Sequence, residues 1–229
     1  MAETTQIVIP LYPGVTHLDF TGPHQVLCRL PGVQVVVASM GGQDIVADGL
    51  TFGALADLAK VERADVLCVP GGLGTTTAML DDAYMDEVRR LAAGARYLTS
   101  VCTGSLILAA TGRLRGKRAA CHWAWRELLE PFGAIVDEGR VVRDGNIITG
   151  GGVTAGIDFA LVLAAELAGE ETARAIQLTL EYAPAPPFDS GRPEAAAPAT
   201  RKQVSMVFEG LVPQRRAAAL EAARRLETA

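Results

Sequence analysis

The chain has 229 residues, 49% of them hydrophobic and 5% aromatic, with a formal net charge of -5. That length holds one well-packed domain, and the low aromatic share suits an α/β core built from Ala, Val, Leu and Gly better than an all-β sandwich. The negative balance excludes a dedicated nucleic-acid binder, which needs a basic face to displace phosphate counterions.

The first element is TQIVIP, a short apolar run that ends in a Pro-Gly turn. Its predecessor, MAETTQIVIP, has no basic lead, so no signal peptide is expected and the protein is read as cytoplasmic. DFTGPHQVLCRL follows as a helix, with Thr21 as the expected N-cap and Pro23 in the first turn. VQVVVASM is a strand of β-branched residues, and GGQDIVADGLTFG is a turn-rich hairpin. ADVLCVPGG has no polar alternation, the pattern of a central parallel strand covered on both faces. DDAYMDEVRRLAAG has helical spacing, YLTSV is the next strand, and TGSLILAATGRL is a helix closed by Gly112. HWAWRELLEPFG is read as another helix, and Asp144-Gly145 as the turn of a hairpin.

GVTAGIDFALVLAAELAGEE and ETARAIQLTLEYA complete the core as helices, neither long and apolar enough for a membrane span. The alternation of strand, turn and helix predicts a single α/β domain over 1–229, with a parallel sheet between helical layers. Its last part, 184–229, reads as a Pro/Ala-rich wrap leading to a final helix around 213–228.

In an open parallel sheet, ligands bind outside the carboxyl ends of the strands. Four unusual segments fall there: YPGVTHLDFTGP, VPGGLGTT, SVCTG and ITGGGVTAG. Cys102 stands where a strand turns sharply into a helix, with Gly104 two residues on, the cysteine counterpart of a nucleophile elbow. A thiol at a helix N-terminus is expected to ionise more readily, which makes Cys102 the candidate nucleophile. Cys28 and Cys68 read as packing residues.

Asp19, between Leu18 and Phe20, is in an apolar setting that raises a carboxyl pKa and suits proton donation; a helix-start acid is the plainer alternative. Thr103 and Gly72 offer a hydroxyl and a backbone N–H as a donor pair for an anion, and Gly151 and Gly152 let backbone pass close to a substrate. His122 stands equally as a base for Cys102 or as a packed helix-start residue. The four cysteines and three histidines lack C-x-x-C, H-x-H and H-E-x-x-H spacing, so no disulfide, metal or cofactor is expected.

Together and in this order, VPGG, SVCTGSLILAATGRLRGKRA, CHWAW and TGGGVTAGIDFAL resemble the PfpI-like branch of the class I glutamine amidotransferase-like superfamily, over about residues 6–190. The resemblance implies a flavodoxin-like three-layer sandwich, a homodimer, a nucleophile at Cys102, an acid at Asp19 and Thr103 beside the nucleophile. Protease-like members carry Cys-His where this chain has Cys102-Thr103, which disfavours proteolysis. Regulators that share Cys-Thr-Gly need a helix-turn-helix module, and 184–229 is too short and too rich in Ala and Pro to be one.

Within the branch the pattern is most similar to the isonitrile-hydrating members. That implies a hydro-lyase acting on a small, uncharged isonitrile without a cofactor, through a thioimidate on Cys102. A redox- or ligand-sensing protein without that activity, or another cysteine hydrolase or glyoxalase-like enzyme, stays open beside it.

Overall fold

The computed structural model describes residues 4–228. The elements run in chain order as β1 (Thr5–Pro10), α1 (His17–Leu27), β2 (Val33–Ser39), β3 (Ile45–Ala47), β4 (Leu50–Phe52), β5 (Ala56–Asp57) and β6 (Val66–Val69). Next come α2 (Thr75–Ala78), α3 (Asp82–Gly94), β7 (Tyr97–Val101), α4 (Gly104–Ala109), β8 (Arg118–Ala119), β9 (Ile135–Val136), β10 (Val141–Asp144) and β11 (Ile147–Gly150). Four helices close the chain: α5 (Ala155–Ala168), α6 (Glu170–Thr179), α7 (Pro198–Glu209) and α8 (Val212–Thr228).

Seven strands form one sheet in the order β10-β11-β7-β6-β1-β2-β5. Every pairing is parallel except β10 with β11, the hairpin that turns at Gly145-Asn146. Every residue of β6, β7 and β11 is buried, as continuous apolar strands covered on both faces require. From β1 the chain steps to β2 on one side, whereas β6 leads to β7 and then β11 on the other. With right-handed crossovers that reversal puts α1 on one face and α3 and α4 on the opposite one. α5 packs on α1, and α4 lies against β6, β7 and α2. The result is the flavodoxin-like three-layer sandwich expected from the sequence. Its switch point lies between β1 and β6, where a ligand crevice belongs.

Several local expectations change. α1 starts at His17 with Thr16 at the N-cap position, while the Thr21 hydroxyl donates to the His17 carbonyl inside the helix. Pro23 therefore lies within the helix and not in its first turn. Residues 122–125 are not helical; a 3₁₀ turn over Arg126–Phe132 replaces the expected helix, with Pro131 inside it. Cys28 is exposed at the end of α1 and is no packing residue, whereas Cys68 is fully buried in β6. After the irregular stretch 184–197 comes α7, a helix unforeseen from the sequence, and then α8 as expected. Among the described residues no helix is long and apolar enough to cross a membrane.

Candidate active site

The loops after β11, β7, β6 and β1 leave four adjacent strands side by side, so the four unusual segments of the sequence converge. Cys102 is the first residue past β7. Its φ of +58° is left-handed, a conformation that costs a non-glycine residue about 1 kcal/mol or more. Its N–H donates to the carbonyls of Gly150 at 3.0 Å and Gly151 at 2.8 Å. The backbone at the end of β11 thus braces the elbow, and Gly151 takes part through its carbonyl.

The residue is nearly enclosed: Cys102 is 5% exposed. Burial raises its thiol well above the ordinary range, and Asp19 and Cys121 push the same way. The N–H groups of Thr103 and Val153 hydrogen-bond it and pull down without offsetting that cost. The expected low-pKa thiolate is therefore corrected. α4 is only six residues long and wholly buried, so desolvation outweighs the helix end.

Asp19 is completely buried in the first turn of α1. Its Oδ2 accepts the Gly71 N–H at 2.9 Å, and its Oδ1 has no hydrogen-bond partner of ordinary geometry. Burial pushes the carboxyl up to about 7; hydrogen bonding from Gly71 and from the Cys102 side chain opposes the rise, and Asp48 adds to it. Gly71 is what permits this approach: a Cβ there would stand 2.5 Å from the Thr103 nitrogen and 2.8 Å from Asp19 Oδ2. Thiol and carboxyl thus share a buried site in which Asp19 disfavours ionisation of Cys102, while the hydrogen bond from Cys102 favours ionisation of Asp19. The thiol is held protonated, and the carboxyl changes its protonation state near neutral pH.

Thr103 and Gly72 are brought together, but in a different sense from the expected donor pair. The Gly72 N–H donates to Thr103 Oγ1 at 2.9 Å, and that hydroxyl returns a bond to the Gly72 carbonyl at 3.2 Å. The donors are consumed in pinning the loop after β6 to the elbow. Tyr12 and Thr75 extend the same network: Thr75 Oγ1 lies 2.8 Å from Thr103 Oγ1, and the Tyr12 hydroxyl donates to the Pro70 carbonyl at 2.8 Å. Neither residue stood out in the sequence, because a buried hydroxyl has no periodic signature.

His122 makes no hydrogen bond to Cys102. Its Nδ1 accepts the Ala124 N–H at 3.3 Å, and its ring packs 5.7 Å from both Trp123 and Phe208. Burial, with Arg215 nearby, lowers it to about 4, so it is neutral at physiological pH. His122 and Gly152 form part of a cavity of about 230 Å³, which Cys121, Gly151 and Val153 also line. These residues adjoin Cys102 through the Gly151 carbonyl and the Val153 N–H. Neither this cavity nor a larger one of about 370 Å³ between Tyr12, Asp44 and Tyr84 is lined by Cys102 or Asp19; the smaller one adjoins the elbow through Gly151 and Val153. Among the described residues no group of three or more His, Cys, Asp or Glu is placed to hold a metal.

The DJ-1/PfpI family pattern matches residues 5–166. Isonitrile hydratase of Pseudomonas putida is 53% identical over 195 residues, 83% of this chain and 84% of that protein. Protein dj-1beta of Drosophila melanogaster is 33% identical over 169 residues, 72% of this chain and 90% of its own. Among solved structures, a THiJ/PfpI family protein from Pseudomonas syringae overlays with a TM-score of 0.91 at 39% identity, covering 94% of this chain and 90% of that one.

Proposed function

The chain belongs to the DJ-1/PfpI family, and from that premise we propose that it is a hydro-lyase that hydrates isonitriles to N-substituted formamides. The likeness to isonitrile hydratase at 53% identity supports the substrate class. The observation that carries the mechanism is the buried pairing of Cys102 with Asp19, a carboxyl raised to about 7 whose Oδ1 has no hydrogen-bond partner.

An isonitrile carbon has to accept both a nucleophile and a proton, and the Cys102–Asp19 pair holds one of each. Cys102 sulfur bonds to the terminal carbon while the pair's proton passes from Asp19 to the same carbon. The product is a neutral thioimidate, R–N=CH–S–Cys102, beside an ionised Asp19. Asp19 then acts as base: water adds its oxygen to the carbon, and its proton is relayed through the carboxyl to nitrogen. Collapse of the resulting tetrahedral adduct breaks the C–S bond and returns the hydroxyl proton to the pair. One water is consumed, R–NH–CHO leaves, and the starting protonation state is restored.

Thr103 acts by holding the Gly72 loop against the elbow, and Gly151 by bracing the elbow through its carbonyl. A redox sensor has less support, since a thiol 5% exposed and raised by burial resists oxidation. The reading also includes a single domain over 1–229, a cytoplasmic location and a homodimer, the last measurable by light scattering.

The test is formamide production from cyclohexyl and aryl isonitriles by the purified protein. Cys102→Ala is expected to lower turnover by at least about a thousandfold. Absence of formamide with every isonitrile, or activity retained in Cys102→Ala, overturns the reading.

A further inference from the structure

Arg215 belongs to α8, outside residues 5–166 that the family pattern matches. It is nevertheless 3% exposed. Its Nε donates to Thr76 Oγ1 at 3.2 Å, and one terminal nitrogen donates to the carbonyls of Gly72 at 3.2 Å and Leu73 at 3.1 Å. The guanidinium carbon lies 4.4 Å from the centre of the Trp125 ring. Among the described residues no carboxylate pairs with it, so every direct partner of this buried cation is neutral. An unpaired buried charge is costly to fold around, and a purely structural contact is served as well by an uncharged side chain.

The groups that face it are those of the reaction site. The negative forms of Cys102, Tyr12 and Cys121 hold its pKa up against the lowering effect of burial. Tyr12 and Cys121 are themselves held protonated, Cys121 at about 12, and His122 is neutral. Asp19 acts on Cys102, Tyr12 and Cys121 from α1, and Asp48 acts on Asp19. That leaves the Cys102–Asp19 pair as the place where negative charge develops during the reaction.

We propose that Arg215 is a positioning residue for the hydration: it fixes the Gly72–Leu73 backbone and supplies, from the C-terminal helix, the positive charge that favours the ionised Cys102–Asp19 pair. The inference rests on the reaction proposed above. It makes α8 a part of the site and not an appendage to the domain.

The test follows alkylation of Cys102 by iodoacetamide against pH in the full-length protein, resolved by peptide mass spectrometry because Cys28 is exposed and reacts too. Arg215→Met is expected to move the midpoint up by about one pH unit, a roughly tenfold loss of thiolate at fixed pH. Arg215→Lys, which keeps the charge and loses the forked grip, is expected to stay within about half a unit. With an isonitrile, Arg215→Met lowers kcat about tenfold with little change in KM.

An unchanged profile in Arg215→Met overturns the proposal. So does a displacement of a full unit in Arg215→Lys, which decides the matter alone if the Met variant does not fold. Because alkylation needs no turnover, a protein that makes no formamide yet shows these shifts defeats the hydratase reading and leaves the role of Arg215 standing.

Discussion

The carboxyl edge of the sheet and the C-terminal segment are built on opposite principles. At the sheet edge, Val101 through Ala110 are buried without exception, and backbone groups approach so closely that several positions admit only glycine. From 184 to 214 no residue is buried, and the chain is irregular until α7. The first region stores the unfavourable features: a left-handed cysteine, a raised carboxyl and an orphan oxygen. The second is fastened inward by Phe208 and, beyond 214, by Arg215, Ala218, Ala219 and Ala222. Cost concentrates where the chemistry needs geometry, and the surrounding chain is free to vary.

The largest expected consequence concerns Asp19. Its carboxyl, near 4 in an unfolded chain, is pushed up to about 7 in the folded one. Between those pH values the native state binds more protons than the unfolded state, so stability falls as pH rises through that window. Asp19→Asn removes the buried charge and keeps an acceptor for the Gly71 N–H. It is expected to be up to about 4 kcal/mol more stable than the parent at pH 8 and equal to it below about pH 4, while losing turnover. Urea melts at both pH values measure this. A variant less stable at pH 8 shows that the carboxylate is not a stored cost. In the parent protein kcat/KM is expected to climb through about pH 7 as the singly protonated pair forms, and the ascending limb disappears in the variant's residual rate.

The second consequence separates the two regions by identical chemistry. A Cβ on Gly104 would stand 2.1 Å from the Val69 carbonyl oxygen, a backbone atom that cannot step aside. Gly104→Ala is expected to lose about 3 kcal/mol of stability. The same change at Gly191, in the wrap, meets nothing within 4 Å and is expected to stay within about 0.5 kcal/mol of the parent. Equal losses at the two sites would erase the distinction between a close-packed edge and a tolerant strap.

Much of the first region was legible in the sequence, and little of the second. The four segments at strand ends were visible because continuous apolar strands such as DVLCV announce a parallel sheet, and such a sheet fixes where loops converge. Asp19 was visible because a carboxyl between Leu18 and Phe20 is out of place on an apolar face. The thiol's ionisation is not legible, because a local argument about a helix end cannot count the desolvation that distant elements impose. Arg215 was invisible for a related reason. α8 carries four arginines; Arg216 and Arg224 are exposed and Arg225 bonds Leu80 and Asp82 at the surface, so nothing local marks the one that is buried. Its partners at Gly72 and Leu73 are 143 and 142 residues away.

The smallest expected effect tests how α7 and α8 are fastened. Phe208 is half-buried and sits edge-on to Trp125 at 5.5 Å, Trp123 at 6.1 Å and His122 at 5.7 Å. Phe208→Ala removes that wedge from beside the ring on which Arg215 rests. Because the side chain is only partly buried, the loss is expected to be about 2 kcal/mol, below the range for a fully enclosed phenylalanine. The loss is local. Hydrogen exchange is expected to quicken across α7 and the first turns of α8, while β1, β6, β7 and β11 keep their protection. If the sheet amides quicken to the same degree, the C-terminal helices and the sheet open as one cooperative unit, and the division between a rigid edge and a separately fastened strap fails.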